Sequence, residues 1–319
     1  MKKSRHILIT GGAGFIGSHL VERLLKDGKS VVIVDDFSTG SRANLRSFEN
    51  NRRLRIVEAK ISECAELPPL AAEAGFIFHL AATVGVDLVV KSALHVLETS
   101  FYETQMLLRA AAKHSTPLLL TSTSEVYGKS AKPEFSEEDD LLIGPPGHSR
   151  WSYASAKLTD EFLALAYARE KNLPVAIARL FNTVGPRQTG RYGMVLPRFI
   201  ASAKKNEPLK VFGDGKQTRC FGFVHDVVEA LVRLQQCEKA RGEIFNIGGT
   251  EEVSMLELAQ LVVKTLGSKS RIELIPYDQA YAPGFDDMRR RKPLVEKLER
   301  FVQFKPQTPL REIIRLTAE

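Results

Sequence analysis

The sequence predicts an α/β protein built on a doubly wound parallel sheet, with a smaller α/β unit toward its C-terminus. Three observations carry this reading. The first half alternates short β-branched runs with longer amphipathic stretches. A glycine-rich turn joins the first of these runs to the first amphipathic stretch. After Arg179 the alternation breaks into short pieces punctuated by Pro and Gly. The 319 residues, 44% hydrophobic and 26% charged, suffice for one large unit or two smaller ones, each with a core.

Taken in chain order, the expected strands are His6–Thr10, Ser30–Val34, Leu54–Val57, Phe76–Leu80, Leu118–Thr121 and Val175–Arg179. Between them Phe15–Lys26, Leu97–Lys113 and Ser152–Lys171 carry helical periodicity. Farther on, Val224–Leu234 places Val224, Val227, Val228 and Leu231 on one apolar stripe. The punctuated pieces include Val184-Gly185-Pro186, Phe212-Gly213-Asp214-Gly215 and Asn246-Ile247-Gly248-Gly249. The expectation is a nucleotide-binding domain over residues 1–180, rejoined by a helix and strand near 224–250. A partly interleaved substrate domain over 181–319 completes it, with the ligand in the cleft between them.

Composition excludes several classes. No run of about 18 apolar residues occurs, and the apolar stretch after Lys2, Lys3 and Arg5 is only Ile7 to Ile9. Neither a membrane span nor a signal peptide is therefore expected, and a cytoplasmic protein is. Cys64, Cys220 and Cys237 are an odd number at wide spacings, which fits free buried thiols rather than a disulfide framework or zinc site; no metal is expected. The net charge of +7 raises nucleic acid as a partner, but no zinc-finger, RNA-recognition or basic-zipper pattern is present, so none is expected. Residues 1–160 hold 19 Lys and Arg against 19 Asp and Glu, so the excess lies C-terminal to them. The segment 179–220 holds nine against two, which reads as the positive wall of a site for a small anion.

The strand at 6–10 runs into Gly11-Gly12-Ala13-Gly14-Phe15-Ile16-Gly17. Glycine at 11, 14 and 17 permits a tight turn, close approach of backbone to a pyrophosphate and close packing of helix on strand. The first N–H groups of the helix, around Phe15 and Ile16, face the phosphates. Tight turns use glycine for steric reasons alone, so context decides: a strand precedes, a helix follows, and Asp35 ends the next strand about 20 residues on. This is the Rossmann-type dinucleotide fingerprint. Asp35 accepts from the ribose hydroxyls and repels a 2′-phosphate, which selects NAD over NADP, while the downstream Arg42 would soften that preference. Asp36 and Ala81 complete the expected cofactor contacts.

Tyr153 and Lys157 stand four apart on an expected helix and so share a face. A lysine charge and a nicotinamide ring both lower a phenol from its usual value near ~10 toward a working base. Both residues are expected to touch cofactor as well as substrate.

These segments resemble the extended short-chain dehydrogenase/reductase family that modifies nucleotide sugars. The likeness is carried by GGAGFIGSHL at 11–20, VDDFSTG at 34–40, HLAA at 79–82, TSTSEVYG at 121–128, YASAK at 153–157, RLFNTVGPRQ at 179–188, VFGDGKQTR at 211–219 and FNIGG at 245–249. It implies that Thr123 binds the sugar's 4-hydroxyl beside Tyr153, that Asn182 and Arg219 hold the nucleotide diphosphate, and that Phe212 lies against the base. Arg187, Val195 and Arg291 complete the implied substrate contacts, and a homodimer is implied through the helices at 97–113 and 152–171. Two positions depart from the family pattern: Lys60 stands where an Asp usually meets adenine, and Ser100 where an Asn is usual.

Thr123-Ser124-Glu125 resembles the Thr-Ser-Glu of UDP-glucuronate decarboxylases, including the decarboxylase domain of the lipid A aminoarabinose pathway. So do Arg150-Trp151-Ser152-Tyr153 and Gly284-Phe285-Asp286-Asp287 leading to Arg291-Lys292-Pro293. The resemblance implies oxidation at carbon 4 of a UDP-hexuronate, then loss of carbon dioxide to give UDP-xylose or a UDP-4-keto-pentose. In this reading Thr123, Ser124, Glu125, Tyr153, Lys157 and Arg291 are catalytic, Arg291 sits near the sugar carboxylate, and Glu125 or Arg291 helps protonate carbon 5. The alternative is a UDP-sugar 4-epimerase acting on UDP-glucuronate or UDP-glucose.

Overall fold

The computed structural model describes residues 5–82, 92–190, 194–276, 279 and 288–319; Gly284–Asp287, part of the resemblance above, lie outside them. Strands β1 (His6–Thr10), β2 (Val31–Asp35), β3 (Leu54–Glu58), β4 (Ala74–His79), β5 (Leu118–Thr123), β6 (Val175–Leu180) and β11 (Ile244–Ile247) form one sheet. Its order is β11-β6-β5-β4-β1-β2-β3, parallel throughout. The chain lays down β1 to β3 outward and then crosses back to place β4 on the other side of β1. That reversal opens a crevice at the carboxyl ends of β1 and β4, where open α/β sheets bind ligands.

The expected strands fall close to these, with two informative extensions. β4 starts at Ala74 because helix α2 (Leu67–Glu73) hands the chain directly to it. β5 runs on to Thr123 because Thr121, Ser122 and Thr123 keep pairing with Ala178, Arg179 and Leu180 of β6. This pairing delivers Thr123 to the crevice. The crossover helices are α1 (Phe15–Lys26), α3 (Ala93–Ala112) and α4 (Trp151–Lys171), and α6 (Val224–Gln236) precedes β11. α3 begins one turn before the sequence reading placed it, after Ser92.

Alternation along the strands divides the core between the two faces of the sheet. Leu8, Val32, Val34, Ile77, Leu118 and Leu120 meet α2, α3 and α4 on one face. On the other, Ile7, Ile9, Ile33, Phe78 and Leu119 join α1 and α6 in a cluster that continues into the C-terminal unit through Val211, Leu258 and Ile313. That unit consists of α5 (Val195–Lys204), α7 (Met255–Leu266), α8 (Glu296–Val302) and α9 (Leu310–Ala318) with three strand pairs. The pairs are β7 (Thr183–Val184) with β10 (Gly222–Phe223), β8 (Leu209–Phe212) with β13 (Ile272–Ile275), and β9 (Thr218–Cys220) with β12 (Glu252–Ser254). α7 opens on a capping box of Ser254 and Glu257 and ends at Gly267 with φ of 61°. The shared core fixes the C-terminal unit against the sheet.

A buried polar network ties the strands beneath the crevice. Arg179 Nη2 donates to Glu161 Oε2 at 2.8 Å and its Nη1 to the Tyr127 hydroxyl at 3.0 Å; Ser122 donates to Glu161, and Tyr127 to Asn246 Oδ1 at 2.7 Å. β5, β6, β11 and α4 are thereby locked together. Among the described residues no helix is long and apolar enough to cross a membrane.

Candidate active site

The crevice holds a cavity of about 1010 Å³, at the upper end of the range for small-molecule sites. Its floor is the glycine turn. Gly11 has φ of 74°, and a Cβ there would lie 2.7 Å from the Ala81 nitrogen; at Gly17 it would lie 2.0 Å from the Gly11 carbonyl oxygen. A Cβ at Gly14 would meet that oxygen at 3.3 Å, a tighter contact than most side chains make. Gly14 caps α1 without a side-chain acceptor, so among the described residues no cap takes the first-turn N–H groups at Phe15, Ile16 and Gly17, which suit an anionic ligand.

Asp35 lies at the end of β2, 8% exposed, with Oδ2 accepting from the Ala13 N–H at 2.8 Å and Oδ1 from the Phe37 N–H at 2.9 Å. Burial raises its carboxyl above the usual range while those two N–H groups oppose the rise. Held this way, it turns its remaining lone pairs to the cavity. Asp36 accepts from the Ser38 N–H and hydroxyl at 3.0 and 2.6 Å, and Ala81 lies opposite on the β4 side. Arg42 is engaged elsewhere: its guanidinium pairs with Glu58 and stacks on the Phe37 ring at 4.5 Å. This cradle fits a dinucleotide with a free 2′-hydroxyl.

Tyr153 and Lys157 project from the first turns of α4 into the same cavity, facing Thr123 and Ser124 at the end of β5. The Thr123 hydroxyl accepts from the Glu125 N–H at 3.2 Å and hydrogen-bonds Tyr153. Burial pushes the Tyr153 phenol up, the Glu125 charge adds to this, and the Thr123 bond opposes it. Lys157 Nζ donates to Asp160 Oδ2 at 3.0 Å, and Ser100 Oγ donates to the same oxygen at 2.7 Å. Lys157 and Asp160 are both buried. Ser100, at the position where the family has Asn, thus supports the lysine's partner.

Glu125 lies one residue beyond Ser124 and is held from both sides. Arg291 Nη1 donates to Oε1 at 2.5 Å and Arg150 Nη2 to Oε2 at 3.2 Å. Burial by itself would raise this carboxyl; the charges of Arg291, Arg150 and Arg219 outweigh it and bring the value to about 2. These neighbours hold Glu125 in its ionised form. Arg291 Nε is buried, with no hydrogen-bond partner among the described residues.

The remaining residues separate. Asn182 lines the cavity and its amide donates to the Cys220 carbonyl at 2.9 Å, tying β6 to β9. Arg187 lines it too, but reaches toward α1, pairing with Glu22 and lying 3.4 Å from Ser18 Oγ, on the cofactor side. Val195, Phe212, Arg219 and Arg291 are not in the cavity lining. Val195 opens α5, Phe212 ends β8 with the Arg198 guanidinium 4.5 Å from its ring, and Arg219 is buried in β9. Among the described residues of 179–220, Arg187 is the one cation lining the cavity; Arg219, buried in β9, acts by its charge on Glu125, and Arg179 is taken up by Glu161.

The sequence reading assigned no role to Asp160, and quoted Arg150 only within a motif. An acid three residues after Lys157 on a buried helical face, and a cation one turn before Tyr153, were the available signals. Among the described residues no group of His, Cys, Asp or Glu is placed to hold a metal ion. Cys64 and Cys220 are buried and Cys237 half-buried, all free.

Comparison with known proteins agrees with this geometry. The model of the NAD dependent epimerase/dehydratase family matches residues 7–248. A UDP-N-acetyl-alpha-D-glucosaminuronate decarboxylase of Bacillus cytotoxicus is 42% identical over 320 residues, covering 100% of this chain and 98% of the relative. UDP-glucuronic acid decarboxylase 4 of Arabidopsis thaliana is 37% identical, covering 98% of this chain and 67% of that one. The solved structure of UDP-glucuronic acid 4-epimerase from Bacillus cereus, in complex with UDP-glucuronic acid and NAD, superposes with a TM-score of 0.87 at 29% identity over 98% of each chain. From the glycine cradle with Asp35 to the Tyr153–Lys157 pair, and over most of its length, the chain belongs to the NAD dependent epimerase/dehydratase family.

Proposed function

We propose that the chain is an NAD-dependent UDP-hexuronate decarboxylase. The observation that carries this is Glu125, set between Arg150 and Arg291 next to Thr123 and Tyr153. Two guanidiniums and one carboxylate leave a net positive charge there, a seat for the carboxylate of a uronic acid.

Bound NAD supplies a two-electron oxidant at carbon 4 and, afterwards, a reductant. Tyr153 takes the 4-hydroxyl proton, which requires positive charge nearby to offset burial and Glu125. Lys157 provides part of it, tempered by Asp160. Oxidation at carbon 4 makes the sugar a β-keto acid. Its carboxylate leaves as carbon dioxide, and the electron pair left behind forms an enolate that Tyr153 and Thr123 stabilise as donors. Arg291 is already neutralised by Glu125, so it places the carboxylate without binding it so tightly that departure is opposed.

The relatives' names bear on the substrate: one acts on a 2-acetamido uronate and another on glucuronate, both as UDP sugars. Mass spectrometry together with proton NMR of each UDP-hexuronate incubated with enzyme and NAD tests the proposal. Loss of carbon dioxide supports it; a product of unchanged mass with inverted carbon 4 would replace it with an epimerase. A homodimer is part of the same reading, because α3 and α4 expose Leu94 (70%), Phe101 (36%) and Phe162 (64%). Sedimentation at the mass of one chain would refute it.

A further inference from the structure

The far end of the cavity contains a carboxyl group that neither the phosphate cradle nor the sugar chemistry uses. Beyond Asp35 the cavity continues between the segment Lys60–Glu63, which follows β3, and α3. Glu103 of α3 lines this end, half-buried, and its carboxyl hydrogen-bonds the Ile61 backbone. A dinucleotide whose ribose is held at Asp35 places its adenine in this space. The exocyclic amine of adenine is a donor and needs an acceptor. Lys60, where the family has an aspartate, offers donors only, and it turns to Glu63 at 3.4 Å with half of its side chain exposed.

We propose that Glu103 is the acceptor for the 6-amino group of adenine, taking over from α3 the task that Lys60 cannot perform after β3. The inference rests on the NAD reading and adds a specificity-determining residue to it. Burial, then the Asp36 charge, pushes the Glu103 carboxyl up to about 7, with Lys60 opposing. A carboxyl titrating there gains from meeting an amine donor in its ionised form. The Asp36 carboxylate, the Lys60 ammonium and the Glu63 carboxylate are the charged groups acting on it from β2 and the segment after β3.

The test is titration calorimetry of the full chain, freed of bound nucleotide, with NAD and with nicotinamide hypoxanthine dinucleotide. The analogue carries a carbonyl in place of the 6-amino group and, as the lactam, an N1–H in place of the N1 acceptor, so it offers Glu103 no amine at position 6. Wild type is expected to prefer NAD by about tenfold or more, the scale of one hydrogen bond to a charged acceptor. The preference should grow between pH 6 and pH 8 as Glu103 ionises. Glu103→Ala should weaken NAD and leave the analogue unchanged, and Glu103→Gln, which can donate as well as accept, should bind both alike. Equal weakening of both dinucleotides, or a preference untouched by either substitution, would overturn the assignment. A wild type that binds neither dinucleotide would overturn the NAD reading itself, and this inference with it.

Discussion

The two ends of the active site are built in opposite ways. The cofactor end is a contiguous piece of backbone from Gly11 to Gly17, shaped by what will not fit: a single methyl at Gly17 lands 2.0 Å from a carbonyl oxygen. The sugar end is an arrangement of side chains drawn from distant segments. Glu125 follows β5, Arg150 precedes α4 and Arg291 precedes α8, and ion pairs hold them together. Sterics therefore specify the first locally, and charge balance specifies the second globally. The cofactor end should fail completely when touched, whereas the sugar end should be retuned.

Gly17→Ala provides the hardest blow to this contrast. It should abolish NAD binding by calorimetry, and with it all turnover; a variant that still binds NAD within tenfold of wild type would show that the turn is not sterically closed. Tyr153→Phe comes next, removing the phenol that the proposed reaction uses to take the 4-hydroxyl proton while leaving the cradle intact. Turnover should fall by about 10²–10⁴, with NAD binding retained because the glycine cradle and Asp35 are untouched.

Glu125→Gln tests the other end. It frees Arg291 and Arg150 to grip the substrate carboxylate, so carbon dioxide release should fall by about 10²-fold, the scale of a few kcal/mol for uncovering buried charge. Oxidation at carbon 4 should persist, visible as accumulating reduced cofactor. Full decarboxylation by this variant would make Glu125 a structural residue. Asp160→Asn should have the smallest effect. With a nearby negative charge gone, Tyr153 ionises more readily, and the pH profile of carbon-4 oxidation should move to lower pH by up to about one unit. An unmoved profile with unchanged folding would remove Asp160 from the proton chemistry.

The same contrast explains what could be read from the sequence. The strand–glycine–helix run at 6–26 and the i, i+4 spacing of Tyr153 and Lys157 are local patterns, and α1 has the bounds that its periodicity and turn predict. The join between Glu125 and Arg291 spans 166 residues and leaves no periodic trace. Family motifs pointed to each residue singly, but not to the carboxylate's ionised state, which depends on Arg150 closing from the other side. Asp160 and Glu103 were invisible for a related reason: an acid on a helix looks solvated until its neighbours are known. A count of charges over 179–220 does not register that Arg179 is buried against Glu161 or that Arg187 turns to Glu22. The family's Asn and Asp positions are filled here by Ser100 and Lys60, and the structure supplies neighbours for both in Asp160 and Glu63.

The most direct test of the central claim is carbon and proton NMR of the reaction with UDP-hexuronates labelled with ¹³C at the carboxyl, glucuronate and its 2-acetamido analogue side by side. The account predicts that label from at least one of them appears as carbon dioxide and bicarbonate while a UDP-pentose or its 4-ketone forms. Label retained in a UDP-hexuronate inverted at carbon 4, with no carbon dioxide from either, would contradict it.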